Sequence, residues 1–229
     1  MSWFVSYVRS SVGAKHVMAV TGLGLLLFAI IHMLGHLGMF AGRDAYNHYA
    51  HTLQGLGALK WIARGGLLFL VAVHIGAGVR LASLNRAARP VKYAVYRTVR
   101  TRPWAKWMPW TGLLILAFIV YHLVHFTFGQ IQPEYFHKLD PQGRYDAYTM
   151  FVRGFQNTGI LISYLVAMAL LLPHLAHGIS STFQSLGLKH PKYDGLIDKA
   201  GPALAVIMFL GYIAPPIAVA LHVIKLPGA

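Results

Sequence analysis

Cysteine is absent from the 229 residues, so disulfides, thiolate nucleophiles and cysteine-bound iron–sulfur clusters are excluded within this chain. Negative charge is nearly as scarce. Six Asp and Glu stand against 20 Lys and Arg, and charged residues make up 11% of the chain, under half the about 25% usual for a soluble domain. None of the six carboxylates falls inside a long apolar run, which leaves no intramembrane acid to complete a hard-metal site or to relay protons. The pattern shows no internal repeat, no low-complexity tract and no second domain. The opening MSWFVSYVRSSVGAKH lacks a basic stretch followed by a short apolar run and a small-residue cleavage site, which predicts that the first hydrophobic segment is retained. Any redox or metal centre built from this chain's own side chains is left with histidine.

What fills the sequence is apolar, 56% of it. Hydrophobic runs fall at about 17–40, 61–84, 109–129, 157–183 and 202–224, each near the ~20 residues that carry a helix across ~30 Å of hydrocarbon. The expected fold is therefore all-α, a single integral membrane bundle of five transmembrane helices over residues 1–229. Pro103 and Pro109 precede the third run and Pro202 opens the fifth, both suited to helix starts, whereas Pro173 inside the fourth is expected to kink it.

The formal net charge of +14 raises the question of nucleic acid. Its densest part is the connection between the second and third runs, with Arg80, Arg86, Arg89, Lys92, Arg97, Arg100, Arg102 and Lys106 and no acid among them. No groove-reading motif accompanies the charge, so nucleic acid is not the expected partner. A short basic loop between apolar spans is the positive-inside signal, and it also suits anionic lipid or an acidic partner subunit. With Arg9 and Lys15 before the first span, and Lys189, Lys192 and Lys199 after the fourth, this places the N-terminus, the second loop and the fourth loop in the cytoplasm. The remaining two loops face outward, the third balancing Glu134, Asp140 and Asp146 against Lys138, Arg144 and Arg153.

Thirteen histidines are present, and ionisable side chains inside spans are functional candidates by default. They are His32 and His36 in span one, His74 in span two, His122 and His125 in span three, and His174 and His177 in span four. Depth sorts them. Spans one and three run outward, putting His32 and His122 about 15 and 14 residues from their inner ends, at ~1.5 Å per residue. Spans two and four run inward, and His74 and His174 lie about 11 and 9 residues above their cytoplasmic ends. His32 thus meets His122 in the outer half, and His74 meets His174 in the inner half.

Two facing imidazoles on opposite sides of a flat macrocycle are what a haem iron needs, and this arrangement supplies the pair twice. Closed at both axial positions, such centres carry electrons and do not bind oxygen. Gly22, Gly24, Gly76, Gly78 and Gly112 offer room for close approach. Other readings stay open at this point. The close pairs His32/His36, His122/His125 and His174/His177 could each be half of a non-haem metal site, or a histidine could simply bond a neighbouring helix. Spacing does not decide which member of a pair would be the ligand.

The segments FAIIHMLGHL, LVAVHIGAGVR, FIVYHLVHF and LPHLAHGISS, with SSVGAKHVMAVTGLGLLLF before them and DAYNHYAHTLQGLG between the first two spans, carry a further signal. They resemble the cytochrome b membrane anchor of succinate:quinone oxidoreductases, in the single-chain, five-helix, dihaem form found in succinate dehydrogenases and fumarate reductases. The resemblance covers nearly the whole chain. It implies that His32 and His122 ligate the haem distal to the cytoplasm and His74 and His174 the proximal one, with His36, His125 and His177 in supporting or quinone-side positions. It also implies a flavoprotein subunit that interconverts succinate and fumarate and an iron–sulfur subunit that carries the electrons. This chain would then dock both to the inner, cytoplasmic membrane and exchange electrons with quinone. Ser11, Lys15 and the arginine-rich loop are the candidates for contacts with the iron–sulfur subunit and the haem propionates, and the loop charges also serve the positive-inside rule. Asp44, Tyr46, His48 and His51, with His36 and His125, are the candidates at the outer quinone end, where Asp44 and Tyr46 could equally cap a helix or line a solvated loop. Menaquinone is favoured over ubiquinone because these groups lie by the outer haem. The chain departs from the family pattern at Leu172, where some fumarate-reducing members carry a proton-relaying glutamate. The rival functions are the haem subunit of a nitrate reductase or hydrogenase, which would spread its ligands over fewer helices, and a haem-free transporter or assembly protein.

Overall fold

The computed structural model describes residues 2–89, 91 and 103–227. Among the described residues the elements are helical throughout, with one isolated antiparallel bridge between Leu139 and Tyr145. A short helix α1 (Trp3–Arg9) leads to α2 (Ser11–Leu37), which tightens into a 3₁₀ turn over Gly38–Ala41. Then come α3 (Arg43–Gln54), α4 (Ala58–Ala87), α5 (Pro103–His122) with a π turn over Leu123–Thr127, α6 (Pro133–Phe136), α7 (Ala147–Gln156), α8 (Thr158–Ser185) and α9 (Asp194–Ala220). Five of these are long and apolar enough to cross a membrane, namely α2 with its 3₁₀ turn, α4, α5 with its π turn, α8 and α9. The chain is a multi-pass membrane protein.

Two of the long helices, α2 and α8, start where a short polar side chain satisfies an exposed N–H group of the first turn. Ser10 caps α2, its hydroxyl accepting from the Gly13 N–H at 2.9 Å and donating to the Tyr7 carbonyl at 2.7 Å. Asn157 caps α8 through the Ile160 N–H at 3.1 Å. The reversal into α3 needs a left-handed residue, and Gly42, at φ +91°, supplies it. Helices run past the apolar stretches that predict them. Pro109 sits inside α5, and Pro202 lies well within α9. The fifth span opens at Asp194, so two carboxylates, Asp194 and Asp198, fall in its first turns; Asp198 pairs with Lys189 at 3.3 Å.

Helix α8 is the spine, packed along α9 on one side and against α5 and α2 on others, while α4 lies on α2. The α8–α9 seam is close because Ala176, Gly201 and Ala205 meet there: a Cβ on Gly201 would run into the Ser180 hydroxyl and lie 3.1 Å from the Ala176 carbonyl. Arg80 of α4 donates to the Arg9 carbonyl, which brings the end of α4 to the end of α1. Lys92, Arg97, Arg100 and Arg102 of the basic connection lie outside the described residues.

The best-packed apolar core is at the opposite end. Met39, Tyr46, Tyr148, Phe151, Val152, Phe155, Ile160, Tyr164, Val219 and Ile224 form it, so α3 and α7 make a folded cap over the bundle in place of the two loops expected there. Asn47 ties the cap together. Fully buried, it donates to Asp140 at 3.2 Å and Asp146 at 2.9 Å and accepts from the Tyr148 N–H at 2.9 Å. Arg43 grips Asp146 through two nitrogens, at 2.5 and 3.3 Å, and Arg144 bridges Asp140 at 2.7 Å and Asp44 at 2.6 Å. Asp146 also caps α7 through the Thr149 N–H at 3.1 Å. Burial opposes ionisation of Asp140, but bonds from Arg144, Asn47 and the Gln142 N–H outweigh it and hold its pKa at about 2. Asp146 is lowered for the same reasons, burial being overcome by Arg43, Thr149 and Asn47.

Candidate functional site

At the level nearer the cap, called outer after the expected topology, with the level farther from the cap called inner, the rings of His32 on α2 and His122 on α5 lie 5.8 Å apart, centre to centre, and stand at 89° to each other. Two imidazoles flanking one metal at about 2 Å per bond would have centres roughly 6 Å apart. The proton inventory of His122 follows from its neighbours. His125 presents Nε2 to the Gln132 side-chain oxygen at 3.4 Å and must donate there, so its Nδ1 accepts from the Tyr164 hydroxyl at 3.0 Å. The Tyr164 oxygen is then free to accept from His122 Nδ1 at 3.4 Å, which keeps the proton on Nδ1 and the lone pair on His122 Nε2. His125 is buried and stacks on Phe126 with centres 4.0 Å apart. The π turn places it there.

His32 is less settled. Its Nε2 lies 3.3 Å from Nε2 of His36, whose Nδ1 meets the Tyr46 hydroxyl at 2.9 Å. Two α2 imidazoles therefore contend for one position facing His122. His32 stacks on Phe28, and Tyr212 of α9 closes that side by donating to the Ala29 carbonyl at 2.6 Å.

At the inner level the pattern is simpler. Thr21 on α2 spends its proton on the Val17 carbonyl at 2.7 Å and offers its oxygen to His74 Nδ1 of α4 at 3.1 Å. His74 Nδ1 also lies 3.2 Å from the Met18 carbonyl. Thr111 on α5 does the same one helix pair away, donating back to the Trp107 or Met108 carbonyl, each at 3.2 Å, and holding His174 Nδ1 of α8 at 3.1 Å. His174 is within electrostatic range of His74 and of His177. Gly22 and Gly112, each next to its threonine, let the rings in: an added Cβ would lie 3.2 Å from Cε1 of His74 and 3.5 Å from Cε1 of His174. Gly24 packs against Leu70, Gly78 makes ordinary contact with Met18, and Gly76 faces open space.

The two levels are about 16 Å apart along α2, from Thr21 to His32, and equally along α5, from Thr111 to His122, at ~1.5 Å per residue. These two helices repeat a short pattern. Thr21-Gly22-Leu23 and Thr111-Gly112-Leu113 match, and His32 and His122 follow them at the same interval.

The remaining candidates divide. Tyr46 joins His36, whereas Asp44 and His48 lie on the exposed face of α3, Asp44 turned to Arg144, and His51 is exposed as well. Ser11 and Lys15 are exposed in the first turns of α2, where the capping hydroxyl belongs to Ser10. His177 is half-buried, close below His174 on α8.

The donor set fits a porphyrin iron better than a bare ion. Among the described residues no group of three or more His, Asp or Glu side chains is arranged to hold a metal ion, while a bare ion wants three or more protein ligands and a porphyrin iron, given four nitrogens by its ring, wants at most two. His74, His122 and His174 each have Nδ1 engaged, the arrangement that orients a ligating Nε2. Comparison of the chain with protein-family models, with curated proteins and with solved structures finds no match.

Proposed function

We propose that this chain is the membrane-anchor cytochrome b of a succinate:quinone oxidoreductase. In this reading it holds two b haems through His32 and His122 at the outer level and His74 and His174 at the inner level. The observation that carries it is the Nδ1 bonding of three of those four imidazoles, which leaves each Nε2 lone pair for iron. When bound, a b haem at each level supplies a one-electron couple buried in hydrocarbon. The chain's part would be to supply two imidazole ligands at each level, to fix their ring orientation, and to exclude water with the aromatic and apolar cap above the outer level.

The basic end, with the N-terminus in the cytoplasm, takes the iron–sulfur subunit and through it the flavoprotein, on which succinate and fumarate are interconverted. Electrons pass between that end and a quinone at the outer level. There the hydrogen-bonded pair of Tyr46 and His36, 2.9 Å apart, is the group assigned to a quinone carbonyl, and menaquinone is favoured over ubiquinone on that position.

The test is spectroscopic. The complex purified with its anchor should be red, reduce with dithionite to a low-spin b-type spectrum and yield two haems per chain. Replacing His32, His74, His122 or His174 by Ala should remove one specific haem each, while His36→Ala should leave both. A colourless, folded wild-type protein would sink the proposal. Haem with no succinate-reducible partner in the preparation would redirect it to another respiratory complex.

A further inference from the structure

The inner histidines have a partner that no electron-transfer role by itself requires. We infer that Thr21 and Thr111 are positioning residues that lock His74 and His174 as Nδ1–H tautomers and thereby set the reduction potential of the inner centre. The inference rests on the proposed haem ligation.

Its basis is directional. A threonine hydroxyl has one proton, and within a helix Thr21 and Thr111 spend it on a carbonyl of the preceding turn. What remains is oxygen lone pairs, which can only accept. An imidazole nitrogen placed 3.1 Å from such an oxygen must carry the proton. Both inner rings are thus fixed the same way, by the same residue type, from the neighbouring helix, with a glycine beside it that admits the ring. Repetition of Thr-Gly-Leu at 21–23 and 111–113 makes a coincidence of packing a poor account of this. The outer rings are held differently, through Tyr164 and through the His36–Tyr46 pair, so the two levels are tuned by different chemistry.

An acceptor on Nδ1–H makes the ligating Nε2 more electron-rich, which favours the oxidised metal and lowers its potential. Removing the acceptor raises the potential. The two positions are unequal, because His74 keeps the Met18 carbonyl at 3.2 Å as a second acceptor, whereas His174 has Thr111 alone among the described residues for this bond.

The experiment is redox titration and electron paramagnetic resonance of the whole purified complex carrying Thr21→Val, Thr111→Val or Thr111→Ser. Thr111→Val should retain two haems, raise the equilibrium constant for reducing the inner centre about threefold, which is roughly 30 mV at ~59 mV per tenfold for one electron, and shift its low-spin signal. Thr21→Val should move the same centre less, and Thr111→Ser should restore wild-type values. Loss of one haem in Thr111→Val but not in Thr111→Ser also supports the role. An unmoved inner potential and signal with both haems present overturns it, as does a shift confined to the outer centre or haem loss in the serine variant as well. A wild-type complex without haem refutes the ligation itself, which is a different result.

Discussion

Asn47 is where the outer cap is most vulnerable. Truncating it to alanine removes two donors and one acceptor from a site with no exposed surface. The bond to the ionised Asp146 is worth about 1.5–3 kcal/mol, and the Tyr148 N–H, buried with no other acceptor supplied, costs about 1–3 kcal/mol. These two alone set a loss of about 2.5–6 kcal/mol, before the bond to Asp140 is considered. A fair comparison is Asn157→Ala, which removes one capping bond of 3.1 Å at the start of α8 and should cost about 1 kcal/mol. Thermal unfolding in detergent micelles, read by tyrosine and tryptophan emission and converted to free energy by a parallel denaturant titration, measures both. Asn47→Ala should lose at least twice as much as Asn157→Ala. Asn47→Asp should be worse still at pH 7, since it sets a third carboxylate against Asp140 and Asp146. Equal losses in the two alanine variants would refute the view of Asn47 as the tie of the cap.

Acid should act on the same cluster. Asp140 and Asp146 have lowered folded-state pKa values, so their stabilising contribution is complete above the unfolded value near 3.8 and is lost as pH falls through the lowered values, about 2 in the case of Asp140. The difference in unfolding stability between wild type and Asn47→Ala isolates the cluster: it should hold from neutrality to about pH 5 and shrink below about pH 4, and a difference already gone at pH 5 would contradict this. Glycine substitutions should discriminate at the inner level. Gly22→Ala puts a methyl 3.2 Å from His74 and should lower haem content or broaden the inner signal, while Gly112→Ala, at 3.5 Å from His174, should be tolerated. The reverse order would show the rings to be packed differently.

The spans and the depths of the histidines are legible in the sequence because hydrophobic runs and charge asymmetry are additive signals that need no knowledge of contacts. The cap is not. Helix α3 carries Arg43, Asp44, Asn47 and His48 and reads as a polar loop; it becomes a helix with Tyr46 and Asn47 buried only because α7 and the 140–146 turn answer those groups from far along the chain. For the same reason Asp44, Tyr46 and His48 could be listed together from sequence, yet a helix sends Tyr46 inward and the other two out. Thr21 and Thr111 read as ordinary polar residues in apolar helices. Their signal was present in the repeated Thr-Gly-Leu, but its meaning depends on which histidine each one faces. Asp194 and Pro202 mark a further limit: a helix continues as long as its backbone bonds close, and hydropathy marks only the part of it in lipid.

The π turn at Leu123–Thr127 carries a consequence for how this chain can vary. A π turn holds one residue more than the α turn it replaces, and everything after it is rotated by about 100° relative to an uninterrupted α-helix. Loss of a single residue there would leave the apolar character of the span untouched while swinging His125 off Tyr164 and releasing the bond that fixes His122. Related chains of otherwise equal hydropathy are therefore bound in length at this one place, and a one-residue gap between them at Val124 would separate proteins that share this arrangement from those that only share its composition.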